Sequence, residues 1–324
     1  MNTRNRYFVI ASLLVLTVGL GTGLVAYYTG FQVGLVRGGP PELAYVPNRV
    51  AVVAYADVHE VMTSELRQKV HEAAPMSENG QREFENQTGI NIETDIDHIV
   101  ACLDAGAADG HGSGMVLARG RFNDAKIESL MRAHGARVDD YRGARLITAA
   151  DKNGPDSFSV AFLKPGLVAV GSTPMVKSAI DLQGGGDNIT TNDEMMGLVR
   201  SLDRGNAWAV GRFDALRSKA HLPAAMSSQL PPITWFSVSS HINGGVRGTI
   251  RAETSDDQAA TNLRDVVRGF MALAKMQAGS RPEYQAMLQS LELGGTGKTV
   301  ALSFSVPSEV FDAIGQAHQP ARPR

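Results

Sequence analysis

The architecture of this chain is encoded in one short segment, Val50-Ala51-Val52-Val53-Ala54-Tyr55-Ala56-Asp57-Val58-His59-Glu60. Its first six residues are apolar and rich in valine, which predicts a buried strand. Asp57 follows as a helix N-cap, with Glu60 three residues later, the spacing of a capping box. The segment therefore predicts a strand that turns directly into a helix.

The same strand, cap and helix pattern recurs further along the chain. Two copies end before Asn123 and Asp214, and two others place Pro174 and Pro307 in the first helical turn, where the missing proline N–H costs nothing. The four further copies occupy residues 115–124, 168–174, 207–214 and 302–308. Five such units predict an α+β fold.

Short turns between apolar runs predict that the strands are antiparallel. Lys164-Pro165-Gly166 separates residues 159–163 from 167–170, and Asn243-Gly244-Gly245 separates 233–242 from 246–252. We expect antiparallel sheets packed with helices.

The longest helix is predicted to begin at residues 254–257, with Gln258 completing a capping box. Its apolar face is predicted to pack on a sheet. That face consists of Leu263, Val266, Val267, Phe270, Leu273 and Ala274.

An uncharged apolar run precedes the folded part. No charged residue occurs between Tyr7 and Val36. About 22 helical residues reach roughly 33 Å, enough to cross a hydrocarbon core of about 30 Å. We therefore predict a transmembrane signal-anchor helix at residues 7–30, in contact with the lipid bilayer. The alternative, a cleaved signal peptide, needs small residues where this chain has Tyr27 and Tyr28.

The charges beside this run predict its orientation. Arg4 and Arg6 precede the run, against Arg37 alone after it, a positive-inside bias. We expect a cytoplasmic tail at residues 1–6 and a single-pass protein of the inner or plasma membrane, with the bulk of the chain extracytoplasmic.

The exported part is divided by its glycines and prolines. Residues 31–47 are predicted to form a stalk, 48–184 a first α+β half, 185–314 a second, and 315–324 a disordered tail. Matching Asp57 to Asp214 gives an offset of 157 residues (214 − 57) that also aligns Val53 with Val210. The halves are then related by duplication. The alternative, that such units look alike for local reasons, stays open.

Composition excludes several classes of partner and site. Lys and Arg total 31 against 33 Asp and Glu, so no strong positive field would attract nucleic acid. Cys102 is the single cysteine and lies in an apolar run, which predicts a buried thiol. Neither an internal disulfide nor a cysteine-based zinc site is expected.

Gly294-Gly295-Thr296-Gly297-Lys298-Thr299 ends like a phosphate-binding loop. The full motif needs a glycine where this chain has Glu292, and it needs a helix after the loop, whereas residues 300–306 alternate as a strand. We predict a turn between strands and no nucleotide.

Other fragments of known motifs are incomplete. His59-Glu60 and His71-Glu72, on one predicted helix, each lack the second histidine of a zinc protease. In residues 110–114, His111 replaces a glycine that a nucleophile elbow requires.

The acidic group Glu93, Asp95 and Asp97 beside His98 lacks the spacing of a calcium loop. Trp208, Trp235 and Phe236 lie in predicted strands and are expected to fill the core, with a binding groove as the alternative. No catalytic, cofactor-binding or metal-binding residue is predicted, and no cofactor.

The pattern resembles a bacterial family known only as a domain of unknown function. The resemblance is carried by the N-terminal span, the stalk, the strand Val53-Ala54-Tyr55-Ala56-Asp57-Val58 that leads into a helix, and Thr88-Gly89-Ile90-Asn91-Ile92-Glu93-Thr94-Asp95-Ile96. It covers residues 43–182 loosely. It implies a membrane-anchored α+β envelope protein without known catalysis.

Two functions follow as hypotheses. The first is an extracytoplasmic binding or scaffold protein, with a protein partner in the envelope. The alternative is an envelope enzyme of hydrolase type, whose catalytic groups are distant in sequence. It predicts that His98, His111, His134 or His241 meets a carboxylate and a Ser or Thr.

Overall fold

The computed structural model describes residues 39–68, 78–104, 113–149, 158–203, 205–217, 231–277 and 282–310. The predicted cytoplasmic tail, the predicted span at residues 7–30 and the predicted disordered tail lie outside these ranges. Within them, no helix is both long and apolar enough to cross a bilayer.

The described chain is α+β, built on one antiparallel sheet of twelve strands, and both predicted hairpins are confirmed. The spatial order is β11-β12-β10-β9-β8-β1-β2-β3-β7-β6-β5-β4. The strands are β1 Val52–Asp57, β2 Ile96–Asp104, β3 Ser113–Gly120, β4 Arg137–Tyr141, β5 Ala144–Ala149, β6 Phe158–Lys164, β7 Leu167–Ser172, β8 Ala207–Arg212, β9 Ile233–Ile242, β10 Gly245–Thr254, β11 Glu292–Gly294 and β12 Thr299–Pro307.

Helices connect these strands and cover both faces of the sheet. They are α1 Val58–Met62, α2 Glu78–Thr88, α3 Ile92–Asp95, α4 Asp124–Ala133, α5 Thr173–Asp181, α6 Asp193–Ser201, α7 Phe213–Arg217, α8 Asp257–Gln277 and α9 Pro282–Gln289. Three short 3-10 helices are Pro41–Tyr45, Leu182–Gly184 and Ile189–Thr191.

Side-chain caps explain why helices follow strands here. The Asp57 carboxylate accepts a hydrogen bond from the Glu60 amide at 2.9 Å, and the Asn123 side chain accepts one from the Lys126 amide at 3.0 Å. Each bond satisfies an amide that the first helical turn leaves without a partner. The predicted caps at these two positions are confirmed.

Three details of the predicted helix starts are wrong. Helix α7 begins at Phe213, so Asp214 lies inside its first turn, where it bonds to the Ala215 amide. Pro307 is the last residue of β12, and the helix predicted to include it begins one residue later, at Ser308. Helix α8 is capped by Asp256 through the Ala259 amide at 2.8 Å, while Gln258 bonds to Asn262. Asp256 supplies the acceptor that the capping box would have provided.

A large core lies on one face of the sheet. Val53, Tyr55 and Val210 on the central strands pack with Met175 of α5 and Met195 of α6, all buried. Because Met195 and Val210 belong to the same cluster as Val53, the core is continuous across the boundary predicted at residue 184.

The predicted stalk at residues 31–47 extends too far. Residues 41–45 form a 3-10 helix, and Leu43 and Val46 are 1% and 0% exposed. They fill the core beneath α5 and α6. The prolines that suggested a stalk begin this short helix and end the segment after it.

The apolar face of α8 is only half packed, contrary to the sequence prediction. Leu263 is buried against Val300. Beyond Val267 the face is open: Phe270 is 42% and Leu273 54% exposed. The helical periodicity of apolar residues in α8 does not indicate where the sheet beneath the helix ends.

The predicted single helix carrying His59 and His71 is also wrong. Helix α1 ends at Met62, and Thr63 is its C-cap. His59 is exposed, and His71 lies outside the described residues.

Candidate functional site

A buried carboxylate forms the polar centre of the first half. Glu42 is 1% exposed and sits in the 3-10 helix before β1. Its Oε1 accepts from both Nε and Nη2 of Arg119 on β3, at 2.9 and 2.7 Å. Its Oε2 lies 3.0 Å from Nε2 of His98 on β2. These contacts bind the N-terminal segment to the sheet.

The Glu42 carboxyl is held in its ionised form. Burial alone would raise its pKa, but the polar contacts with His98 and Arg119 outweigh burial and lower the pKa to about 2. A buried charge that is paired and hydrogen-bonded in this way is tolerated inside a fold. The cluster is therefore a charged pair at any ordinary pH.

Further titratable groups surround this cluster. The Tyr55 ring lies 5.6 Å from that of His98, and its pKa is raised well above the usual value, first by burial and then by the charge of Asp57. Burial, then Asp57, raises the pKa of Glu60 to about 7. Burial thus favours the neutral forms of both Tyr55 and Glu60.

Of the four histidines proposed for a hydrolase site, His98 meets a buried carboxylate, that of Glu42. Arg119 and Tyr55 also contact this pair. His134 Nδ1 lies 2.6 Å from the Leu130 carbonyl. His241 lies in β9 opposite Arg247. His111 is outside the described residues.

The remaining motif fragments are dispersed. Glu93 pairs with Arg67 at 3.0 Å, and Asp95 pairs with Arg121 at 3.4 Å. In the residues that the structure covers, no three His, Cys, Asp or Glu side chains approach closely enough to hold a metal ion.

The glycine string that ends in Lys298 is a turn. Gly295 and Gly297 have φ of 95° and 55°, conformations that glycine adopts readily. Strand β12 begins immediately afterwards at Thr299. The predicted strand is confirmed, and the helix that a phosphate loop leads into does not follow this turn.

Two open depressions indent the described surface. The larger, about 510 Å³, lies at the end of β3 between Asp95 and Phe122. Its charged groups, Asp95 and Arg121, already pair with each other. The smaller, about 340 Å³, lies between α6 and the sheet of the second half. We call it the α6 groove; its lining is Leu198, Ser201, Trp235, Phe236, Ser237, Arg251, Glu253 and Thr299.

Polar groups in the α6 groove have definite positions. Arg251 donates to Asp203 at 2.7 Å and to the Ser201 carbonyl at 3.5 Å. Trp235 and Glu253 are directly paired on β9 and β10, which places their side chains on the same face. Among the described residues Glu253 forms no ion pair, and it is exposed.

One lateral row of residues shows how the α6 groove arises. The row crosses six strands in register: Met115, Cys102, Val53, Val210, Ser237 and Arg251. Its first four members are apolar and buried. The row becomes polar at Ser237, and the Arg251 side chain is 29% exposed. The same sheet face is thus a core on one side of the centre and a groove on the other.

Sequence reasoning missed Glu42 and Arg119, and it offered Trp235 and Phe236 of the α6 groove only as an alternative to a core position. A charged residue inside the apolar strand 115–120 was the available signal for Arg119, because such a residue needs a partner when buried. Glu42 gave no signal, since Pro40 and Pro41 made its surroundings look like a linker. Trp208 is 3% exposed, which confirms its core position, whereas Trp235 is only partly buried.

The chain was compared with family models, curated proteins and solved structures. No family model matches the chain, and no curated protein matches it. The solved structure titled crystal form I of TP0453 is similar in fold over 85% of this chain and 97% of its own, with 7% identity and a TM-score of 0.48.

Proposed function

We propose that this chain is a single-pass membrane-anchored protein whose extracytoplasmic domain binds a protein partner in the α6 groove. The observation that carries the proposal is the Trp235–Glu253 pair, an aromatic face beside a carboxylate that no described residue neutralises. The anchor rests on the apolar run at residues 7–30.

The charges of the groove point to the chemistry of the partner. Arg251 is already neutralised by Asp203, so Glu253 leaves the groove with a negative charge. A Lys or Arg side chain would pair with Glu253 and lie over the Trp235 ring as a cation–π contact. The partner is therefore a protein segment that presents a basic side chain.

The binding test uses the full chain in its native membrane. A photo-crosslinking residue at Ser201, which is exposed at the rim of the groove, is expected to give one discrete adduct. Glu253→Lys should abolish that adduct, and Glu292→Lys, a charge reversal at another exposed carboxylate, should leave it. An adduct that survives Glu253→Lys, or an equal adduct from a probe at Arg137 on β4, would refute the groove.

The second candidate is an envelope hydrolase, and one observation favours it. His98 is 21% exposed and lies 3.0 Å from the buried Glu42 carboxylate, the arrangement of a general base oriented by an acid. Hydrolysis of activated esters by the purified full chain, lost in His98→Gln and kept in His134→Gln, would support it. Equal rates for all three proteins would dismiss it.

We also infer that the two halves are related by duplication. Outward from the central β1–β8 pair, the strands of the first half follow the order β1, β2, β3, β7, and those of the second half follow the order β8, β9, β10, β12. In both halves the fourth position is taken by the last strand of that half in the sequence. A helix follows the first strand and the third strand in both halves, as α1 and α4 in one and α7 and α8 in the other. This agreement supports the offset of 157 residues (210 − 53) between Val53 and Val210.

A further inference from the structure

The second half of α8 carries an apolar stripe that the described fold does not cover. Phe270, Leu273 and Met276 are 42%, 54% and 80% exposed. They are spaced three residues apart, so they follow one another along one side of the helix. The stripe continues the buried face of Leu263, which lies seven residues before Phe270.

This part of α8 is also basic. From Val266 to Gln277 there are two cations, Arg268 and Lys275, and no acidic residue. The cations are seven residues apart, close to two full turns, so they share one side of the helix. Arg268 pairs with Asp265 at 2.7 Å, one turn earlier. An exposed apolar stripe on a helix whose opposite, polar side carries Lys and Arg is typical of a helix that lies in a membrane interface.

The position of the predicted anchor keeps a bilayer near the start of the described domain. Eight residues separate Gly30 from Gly39. At most about 3.5 Å per residue, this connection spans roughly 30 Å. A domain held this near a bilayer meets its surface at a high effective concentration.

We propose that the second half of α8 lies on the bilayer that anchors the chain, with Phe270, Leu273 and Met276 in the interfacial layer and Lys275 at anionic phospholipid headgroups. The proposal rests on the anchor in the proposed function.

The experiment places a polarity-sensitive thiol probe on the full chain reconstituted in vesicles. Leu273→Cys carries the probe, and Arg137→Cys on β4, whose side chain is 77% exposed, is the matched control. Cys102 does not compete, because it is buried and burial raises the pKa of its thiol to about 12. The vesicles contain phosphatidylcholine with or without phosphatidylglycerol, and a nitroxide on the lipid chains serves as quencher.

We expect strong quenching and a blue-shifted emission at position 273 and neither at position 137, with a larger effect when phosphatidylglycerol is present. Lys275→Glu in the 273 probe protein should reduce the quenching. Quenching at 273 that is no greater than at 137 would overturn the proposal, as would a blue shift in detergent accompanied by dimer formation.

A parallel extraction separates this proposal from the anchor. At alkaline pH the full chain should stay with the vesicles if residues 7–30 span the bilayer. Retention without quenching at 273 refutes the α8 contact alone. Release of the chain refutes the anchor and with it the basis of the proposal.

Discussion

Val53 of β1 and Val210 of β8 are directly paired at the centre of the twelve-stranded sheet, and both are fully buried. Six strands lie beyond β1 and four beyond β8. The pair is thus the point where the two halves meet, and the large core continues through it.

The first prediction concerns this pair. Val53→Ala and Val210→Ala should each lower the free energy of unfolding by about 2 kcal/mol, because each leaves a cavity in a packed core. The double variant should deviate from the sum, since the residues are neighbours. Urea unfolding of the four proteins measures this. A loss below about 0.5 kcal/mol in either single variant would show that the centre is not tightly packed.

The second prediction concerns the Glu42 cluster. Arg119→Met should destabilise the fold by about 3 kcal/mol, because it leaves the buried Glu42 charge without one of its two partners. Arg137→Met, at an exposed pair with Asp139, should change stability by less than about 0.5 kcal/mol. Equal effects of the two substitutions in chemical denaturation would contradict the role given to Glu42.

The third prediction concerns the loss of stability at acid pH, the acid limb of the unfolding profile. The pKa of Glu42 is lowered from 4.5 to about 2, so its ionised form is favoured by folding. Its stabilisation is complete above pH 4.5 and is lost as the pH falls toward 2. Glu42→Gln should be less stable at neutral pH and should flatten this limb of the unfolding profile. An unchanged acid limb in the variant would count against the cluster.

The fourth prediction has the opposite sign. The pKa of Glu60 is raised from 4.5 to about 7, so folding favours its protonated form. That contribution is present below pH 4.5 and is lost as the pH rises through 7. Glu60→Gln should therefore raise the melting temperature at pH 8 more than at pH 5. The same shift at both values would show that Glu60 titrates normally.

The fifth prediction concerns the Gly294–Lys298 turn. Nucleoside triphosphate should leave the melting temperature of the wild type and of Lys298→Ala unchanged, because Glu292 and strand β12 replace the glycine and helix of a phosphate loop. A ligand at a hundredfold excess over its Kd would add about 2.7 kcal/mol. A nucleotide-dependent rise in the wild type that disappears in Lys298→Ala would overturn this.

The fold class could be predicted from the sequence because the patterns that indicate it are local. Asp57 and Asn123 cap helices through amides three residues ahead, and the Lys164-Pro165-Gly166 turn joins adjacent strands. These interactions depend on neighbours along the chain, which a single sequence displays. The order of twelve strands and the single sheet depend on pairings such as Val53 with Val210, which it does not display.

The Glu42 cluster and the full lining of the α6 groove could not be predicted from the sequence for the same reason. Glu42 and Arg119 are 77 residues apart, and only the register of β1, β2 and β3 brings them together. The α6 groove needs Leu198, Trp235 and Glu253 to meet from three elements. Phe270 and Leu273 have the periodicity of a buried face, and only the extent of the sheet shows that they are exposed.

The proposed binding function depends most on which side of the membrane the folded domain lies, and one fusion experiment measures this directly. A reporter that is active only outside the cytoplasm, joined after Arg324 of the full chain, should be active, because Arg4 and Arg6 keep the N-terminus inside. Reversing the bias with Arg4→Glu and Arg6→Glu should lower that activity. Activity of a cytoplasm-only reporter at the same position would contradict the anchored, exported domain on which the proposed binding function rests.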